Sequence, residues 1–124
     1  MNERFTKGYE TIKKYVTKEE AARMIEADAL ADIAPDLRKM IFEFAYGDVY
    51  SRSGLEAKSC ALVVITAVVT QGAAPQTKTH TKRGLHAGLT QTEIGEALLQ
   101  LSPYIVFPRV LNALTYFSGC PNTR

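Results

Sequence analysis

Helix-start signals recur along this chain and constrain its fold more than any other feature. Thr17-Lys-Glu-Glu20, Ser53-Gly-Leu-Glu56 and Thr90-Gln-Thr-Glu93 each set a hydroxyl three residues before a carboxylate. In that spacing the two side chains can each bond a free N–H of a first helical turn. Gly72 and Gly88 suit helix ends, where a left-handed residue closes the last turn. Pro35 fits a first helical turn, and Pro103 and Pro108 delimit the final segments. No stretch sustains the alternation of a half-buried strand. The reading is all-α: an antiparallel helical bundle of six or seven helices, near 3–15, 18–32, 35–47, 55–71, 75–87, 91–102 and 107–118.

The run from Cys60 to Val69 is broken only by Thr66. Its valines and isoleucine have β propensity, but the segment length and the signal before it favour a helix. It is far shorter than the roughly 20 residues that cross a bilayer, so no membrane partner is expected. A helix apolar on nearly every side belongs in the centre of a fold or in a subunit interface.

The 124 residues suit one domain, 1–124, with a polar N-terminal helical arm over 1–32 and a core over 35–117. Fifteen basic and thirteen acidic side chains leave a formal charge of +2. So small a surplus argues against a nucleic-acid partner, whose binding rests on neutralising phosphates. It leaves room for a small carboxylate, which one or two Arg side chains can hold. Cys60 and Cys120 form neither a disulfide framework nor a CxxC pair. The charged N-terminus has no signal-peptide core, and the expectation is a reduced, cytoplasmic protein. Two His without short-range Cys or His spacing support no metal site. Phosphate-loop, nucleophile-elbow and base-stacking patterns are absent too, so no cofactor is expected.

Between residues 75 and 87, Thr77, Thr81, Gly84 and Gly88 share one helical face, with His80 on its flank. Lys82 and His86 fall on a wet face. His80 is therefore the interior-leaning histidine, suited either to acid–base work or to a satisfied place in the core. In the next helix Ile94, Ala97, Leu98 and Leu101 point inward, and Glu93, Glu96 and Gln100 elsewhere. Gly47-Asp-Val-Tyr-Ser-Arg52 reads as a loop linking two helices. It gathers Asp48, Tyr50 and Arg52: either a carboxylate clamp with a base, or a surface loop in which Asp48 pairs with Arg52. Cys60, early in the apolar helix, could feel the N-terminal field or simply pack as a small hydrophobe. Cys120 reads as an incidental thiol in a polar tail.

FAYGDVYSRSGLEAKS, the apolar helix, and QTKTHTKRGLHAGLTQTEIGEALLQLSPYIVFPRVLNAL together resemble the carboxymuconolactone decarboxylase family. That family is similar in fold to alkylhydroperoxidase D. The likeness rests on His80, Gly84, Gly88-Leu89-Thr90, Glu93-Ile94-Gly95-Glu96, Tyr104 to Pro108, and Asn112-Ala-Leu114. It implies a homo-oligomer, commonly a trimer of dimers. It also implies either cofactor-free decarboxylation of an anionic lactone from aromatic catabolism or thiol-dependent peroxide reduction. Where peroxidase-type members carry their cysteines this chain has Ala73 and Gln76, and Cys60-Ala61 replaces a common Arg-Glu. Ile105 and Val106 stand where smaller residues are usual.

The expectation drawn from the resemblance is a lyase acting on a small carboxylate. Arg52 or Arg83 would hold the carboxylate beside Tyr50, and His80 would deliver a proton. Asp48 or Glu96 would orient the imidazole. Peroxide reduction through Cys60, and a non-catalytic oligomeric binder or scaffold, are the alternatives.

Overall fold

The structure, a computed structural model, describes residues 2–105 and 107–118. Among these residues are seven α-helices and one π-helix, with no strand, so the chain is all-α as expected. Val106 and Cys120, both noted in the sequence, lie outside the described residues. The chain divides into two compact units, Met1–Leu55 and Glu56–Arg124.

The first unit holds α1 (Glu3–Ile12), α2 (Lys18–Glu26), α3 (Leu37–Met40) and the π-helix Ile41–Tyr50. Asn2 starts α1: its side-chain oxygen accepts from the Phe5 N–H at 2.8 Å, which satisfies one free donor of the first turn. Helix α1 packs against the π-helix. Phe5 stacks on Phe42 with ring centroids 5.0 Å apart. Gly8 and Gly47 make the close approach possible, because a Cβ at Gly8 would overlap the Phe42 carbonyl oxygen. The first 32 residues, read as an arm, supply Ile12, Tyr15, Val16 and Ala21 to this unit's buried set, beside Phe42 and Tyr46.

Four boundaries differ from the sequence reading, the first being the helix expected over 3–15, which ends at Ile12. The helix expected over 18–32 stops at Glu26. The Asp28 carboxylate accepts from the Leu30 N–H at 3.1 Å, a local bond that competes with helix propagation. Arg38 pins the turn by donating to the Ala27 carbonyl at 3.3 Å, with Asp28 3.5 Å away.

The helix expected over 35–47 instead becomes π-wound at Ile41 and runs to Tyr50. Asp48 and Tyr50, expected in a loop, are therefore helical. A turn closed by i→i+5 bonds takes roughly 4.4 residues, so positions four apart lie almost above one another. Phe42, Tyr46 and Tyr50 have that spacing, and Tyr46 and Tyr50 stack at 4.5 Å with an interplanar angle of 9°.

Finally, the helix after the link starts at Ala57, with Glu56 as its cap and no capping side-chain bond. Ser53 lies in an exposed turn instead. A hydroxyl three residues before a carboxylate is a local spacing that a turn satisfies as readily as a helix start.

The second unit holds α4 (Ala57–Gln71), α5 (Ala74–Ala87), α6 (Gln91–Leu101) and α7 (Phe107–Ser118). Gly72 and Gly88 close α4 and α5 in the left-handed region, with φ of 71° and 115°. Thr90 and Glu93 form the complete reciprocal box, with bonds of 3.0 and 2.8 Å. Ala61, Ile65 and Val69 form the buried stripe of α4 at i, i+4 and i+8, joined by Leu85, Leu89, Ile94, Leu98, Val110 and Ala113. Val63, on the other side of α4, stays 58% exposed. Within the chain, then, this apolar helix has one covered face rather than four.

Candidate functional site

Helix α5 carries His80 as its sequence periodicity suggests. Thr77, Thr81 and Gly84 are buried, His80 is half-buried on their flank, and Lys82 and His86 are exposed. Pro75 occupies the first turn of α5, where its missing donor costs nothing. The Thr77 hydroxyl donates back to the Ala73 carbonyl at 2.9 Å. Gly84 lets α4 approach: a Cβ there would meet Ile65 Cδ1 at 2.9 Å and Leu89 Cδ1 at 3.0 Å.

Burial, and then the nearby Arg83 guanidinium, push the His80 imidazole down to about 4. Both effects disfavour the cation, so the ring is neutral at physiological pH. A half-buried neutral imidazole one turn from a guanidinium can accept a proton or donate a hydrogen bond. An anion brought to Arg83 would change its basicity.

Glu96, on α6, is exposed. Its neighbour Glu93 is occupied by the Thr90 cap and lies 3.8 Å from Lys58. Among the described residues no group of three or more His, Cys, Asp or Glu side chains could hold a metal. Among the described residues no helix is long and apolar enough to cross a membrane.

In the first unit Asp48 is taken by Arg4, whose Nε and Nη2 donate to its two oxygens at 3.1 and 2.7 Å. The hydrogen bond from Arg4 holds the Asp48 carboxyl below the usual carboxylate range. The pairing of Asp48 with Arg52 that their closeness in sequence offered is replaced by a partner 44 residues upstream. Arg52 is exposed just beyond the π-helix. Tyr50 meets Tyr15 edge-on, with ring centroids 5.3 Å apart. Glu43, which the sequence reading passed over, is buried in the π-helix. It accepts from Asn2 Nδ2 and has Arg4 and Lys39 each 3.8 Å away. Its i,i+4 spacing to Lys39 was the available signal.

A hollow of about 30 Å³ also went unseen in the sequence; it lies where the end of α4, the start of α5 and α7 converge, with Arg109 at its edge. His80 is not among its lining residues.

Residues 35–118 match the model of the Carboxymuconolactone decarboxylase family. The chain belongs to that family. It is similar, at 33% identity over 69% of its length, to an uncharacterized 15.0 kDa protein of Paracoccus denitrificans. It is 28% identical, over 86% of its length, to the 4-carboxymuconolactone decarboxylase of Acinetobacter baylyi. With the nitrosuccinic acid decarboxylase of Metarhizium robertsii it shares 31% identity over 70% of its length. The aligned region spans 66%, 78% and 63% of those three relatives. In this member of the decarboxylase family, Ala73 caps the start of α5 and Gln76 lies in its first turn. Ala61 is buried against the Gly84 turn, 3.7 Å from where a Cβ there would stand.

Proposed function

We propose that this protein is a cofactor-free decarboxylase of a small anionic lactone or related carboxylate, with His80 as the proton carrier and Arg83 as the carboxylate ligand. The observation that carries the reading is the neutral, half-buried His80 imidazole one helical turn from the Arg83 cation. Two relatives named as decarboxylases of small acids support the reaction class.

The chemistry follows from charge. A carboxylate seated on Arg83 cancels the cation that helps keep His80 deprotonated, so binding raises the imidazole's affinity for a proton. The C–C bond to the departing carboxylate then breaks. Carbon dioxide leaves, and the electron pair passes into an adjoining electron-withdrawing group of the substrate. The imidazolium, which took its proton from solvent when the carboxylate bound, gives it to that carbon and ends neutral, as in the free protein. Glu96, exposed on the next helix of the same unit, is retained as a candidate positioning residue, separable by substitution.

The test is carbon dioxide release from a panel of small carboxylated lactones and nitro-substituted acids. His80→Gln is expected to lower kcat by at least ~100-fold, and Arg83→Gln chiefly to raise KM. A full rate in His80→Gln would sink the assignment. We further propose a cytoplasmic homo-oligomer, in keeping with the family's usual trimer of dimers.

A second reading, a ligand-binding protein without turnover, is favoured by the alanine at position 61, which supplies no acid to a relay. It predicts carboxylate binding by wild type with no product. Thiol-dependent peroxide reduction has less support, since Ala73 and Gln76 leave no nucleophilic and resolving pair.

A further inference from the structure

The hollow in the second unit has the features of a binding site that owes nothing to His80. Its floor is apolar: Val69 and Ala113 line it and are both buried. Its rim is polar: Arg109 and Asn112, both exposed, stand one turn apart on α7, with Tyr116 a turn beyond, while Thr77 of α5 lies deeper, buried, its hydroxyl given to the Ala73 carbonyl. Arg109 is held in place rather than waving in solvent. Its Nη1 donates to the Thr70 carbonyl at the end of α4, and its guanidinium lies over Gly72. Arg109 Nε is 3.4 Å from where a Cβ at residue 72 would be. Because Gly72 takes the left-handed conformation, the position favours a residue with no side chain to screen the cation. A guanidinium has five N–H donors, and one carbonyl uses one of them.

Size narrows the ligand. A space of about 30 Å³ admits roughly two water-sized groups. Its inner part thus takes a short alkyl end of two or three carbons rather than a bulkier group. One fixed cation at the rim suits a single negative charge, and the apolar floor suits an alkyl end.

We propose that this hollow binds a short aliphatic monocarboxylate, alkyl end inward, with its carboxylate on Arg109 and the Asn112 amide. A tetrahedral dianion would bring polar oxygens to the apolar floor and a second charge with no partner.

The experiment is a titration of the full chain, followed by the amide resonance of Gly72 and the side-chain amide of Asn112. Formate, acetate and propionate are added at constant ionic strength, with chloride and inorganic phosphate as controls. Affinity is expected to rise roughly fourfold with each added methylene and to fall for pivalate, whose branched end exceeds the space. Arg109→Gln is expected to weaken propionate roughly tenfold, while His80→Gln leaves it unchanged. Should Arg109→Gln disturb the end of α4, the ligand series on wild type decides alone. Equal shifts with chloride, tighter binding of phosphate than of propionate, or no gain from formate to propionate would each overturn the proposal.

Discussion

His80 is the residue whose state can be checked most directly. Its folded-state value near 4 lies below the ~6.5 of a free imidazole. Between those limits the unfolded chain binds a proton that the folded one excludes. The His80 contribution to stability should therefore be flat above about pH 6.5 and fall as pH drops toward 4, by ~1–2 kcal/mol once solvent screening of a half-buried ring is allowed for. Denaturant midpoints across that range should show the slope in wild type and lose it in His80→Gln. Replacing Arg83 by Gln should move the His80 titration upward, because burial remains and the repulsive cation is gone. Proton NMR of the imidazole would read the shift directly. The histidine's placement was legible in the sequence because one helix wheel decides it. The company around it was not: Asp48 found Arg4, far upstream, and no local pattern announces a partner at that distance.

At the scale of the helices, the glycines give a graded series. A methyl at Gly47 would sit 2.5 Å from the Arg4 carbonyl oxygen, and one at Gly8 would overlap the Phe42 carbonyl. Backbone cannot step aside as a side chain can, so Gly8→Ala and Gly47→Ala should each destabilise by ~3 kcal/mol or more. Gly84→Ala meets only the ends of the Ile65 and Leu89 side chains and should cost ~1–2 kcal/mol. Gly95, inside α6 with open space around it, should gain up to ~1 kcal/mol on replacement by Ala. Thr90→Ala removes half of the box that starts α6 and should cost ~1 kcal/mol. Chemical denaturation of the five variants would test the order. Caps and left-handed stops were readable because they depend on four or five consecutive residues. The π-winding was not, since apolar spacing is judged against a turn of 3.6 residues and this segment does not follow it.

For the molecule as a whole, the join between the two units is the exposed stretch from Arg52 to Glu56. Brief trypsin treatment under native conditions should cut first after Arg52, leaving a fragment that begins at Ser53, as mass spectrometry would show. The single chain also leaves large apolar side chains uncovered, among them Ile33 at 84% and Tyr104 at 86% exposure. Sedimentation should therefore report a mass that is a multiple of 13.7 kDa. A monomer at micromolar concentration would count against the oligomer. Family and helix content could be read from the sequence because motifs and periodicity are short-range. The division into units could not, because it depends on which helices touch.

The π-winding of Ile41–Tyr50 has one more effect. A coil wound with fatter turns is shorter for the same number of residues. The 10 residues here cover less ground than they would in an ordinary rod, so the reach of the chain from Met40 to Ser51 is set by pitch as well as by count.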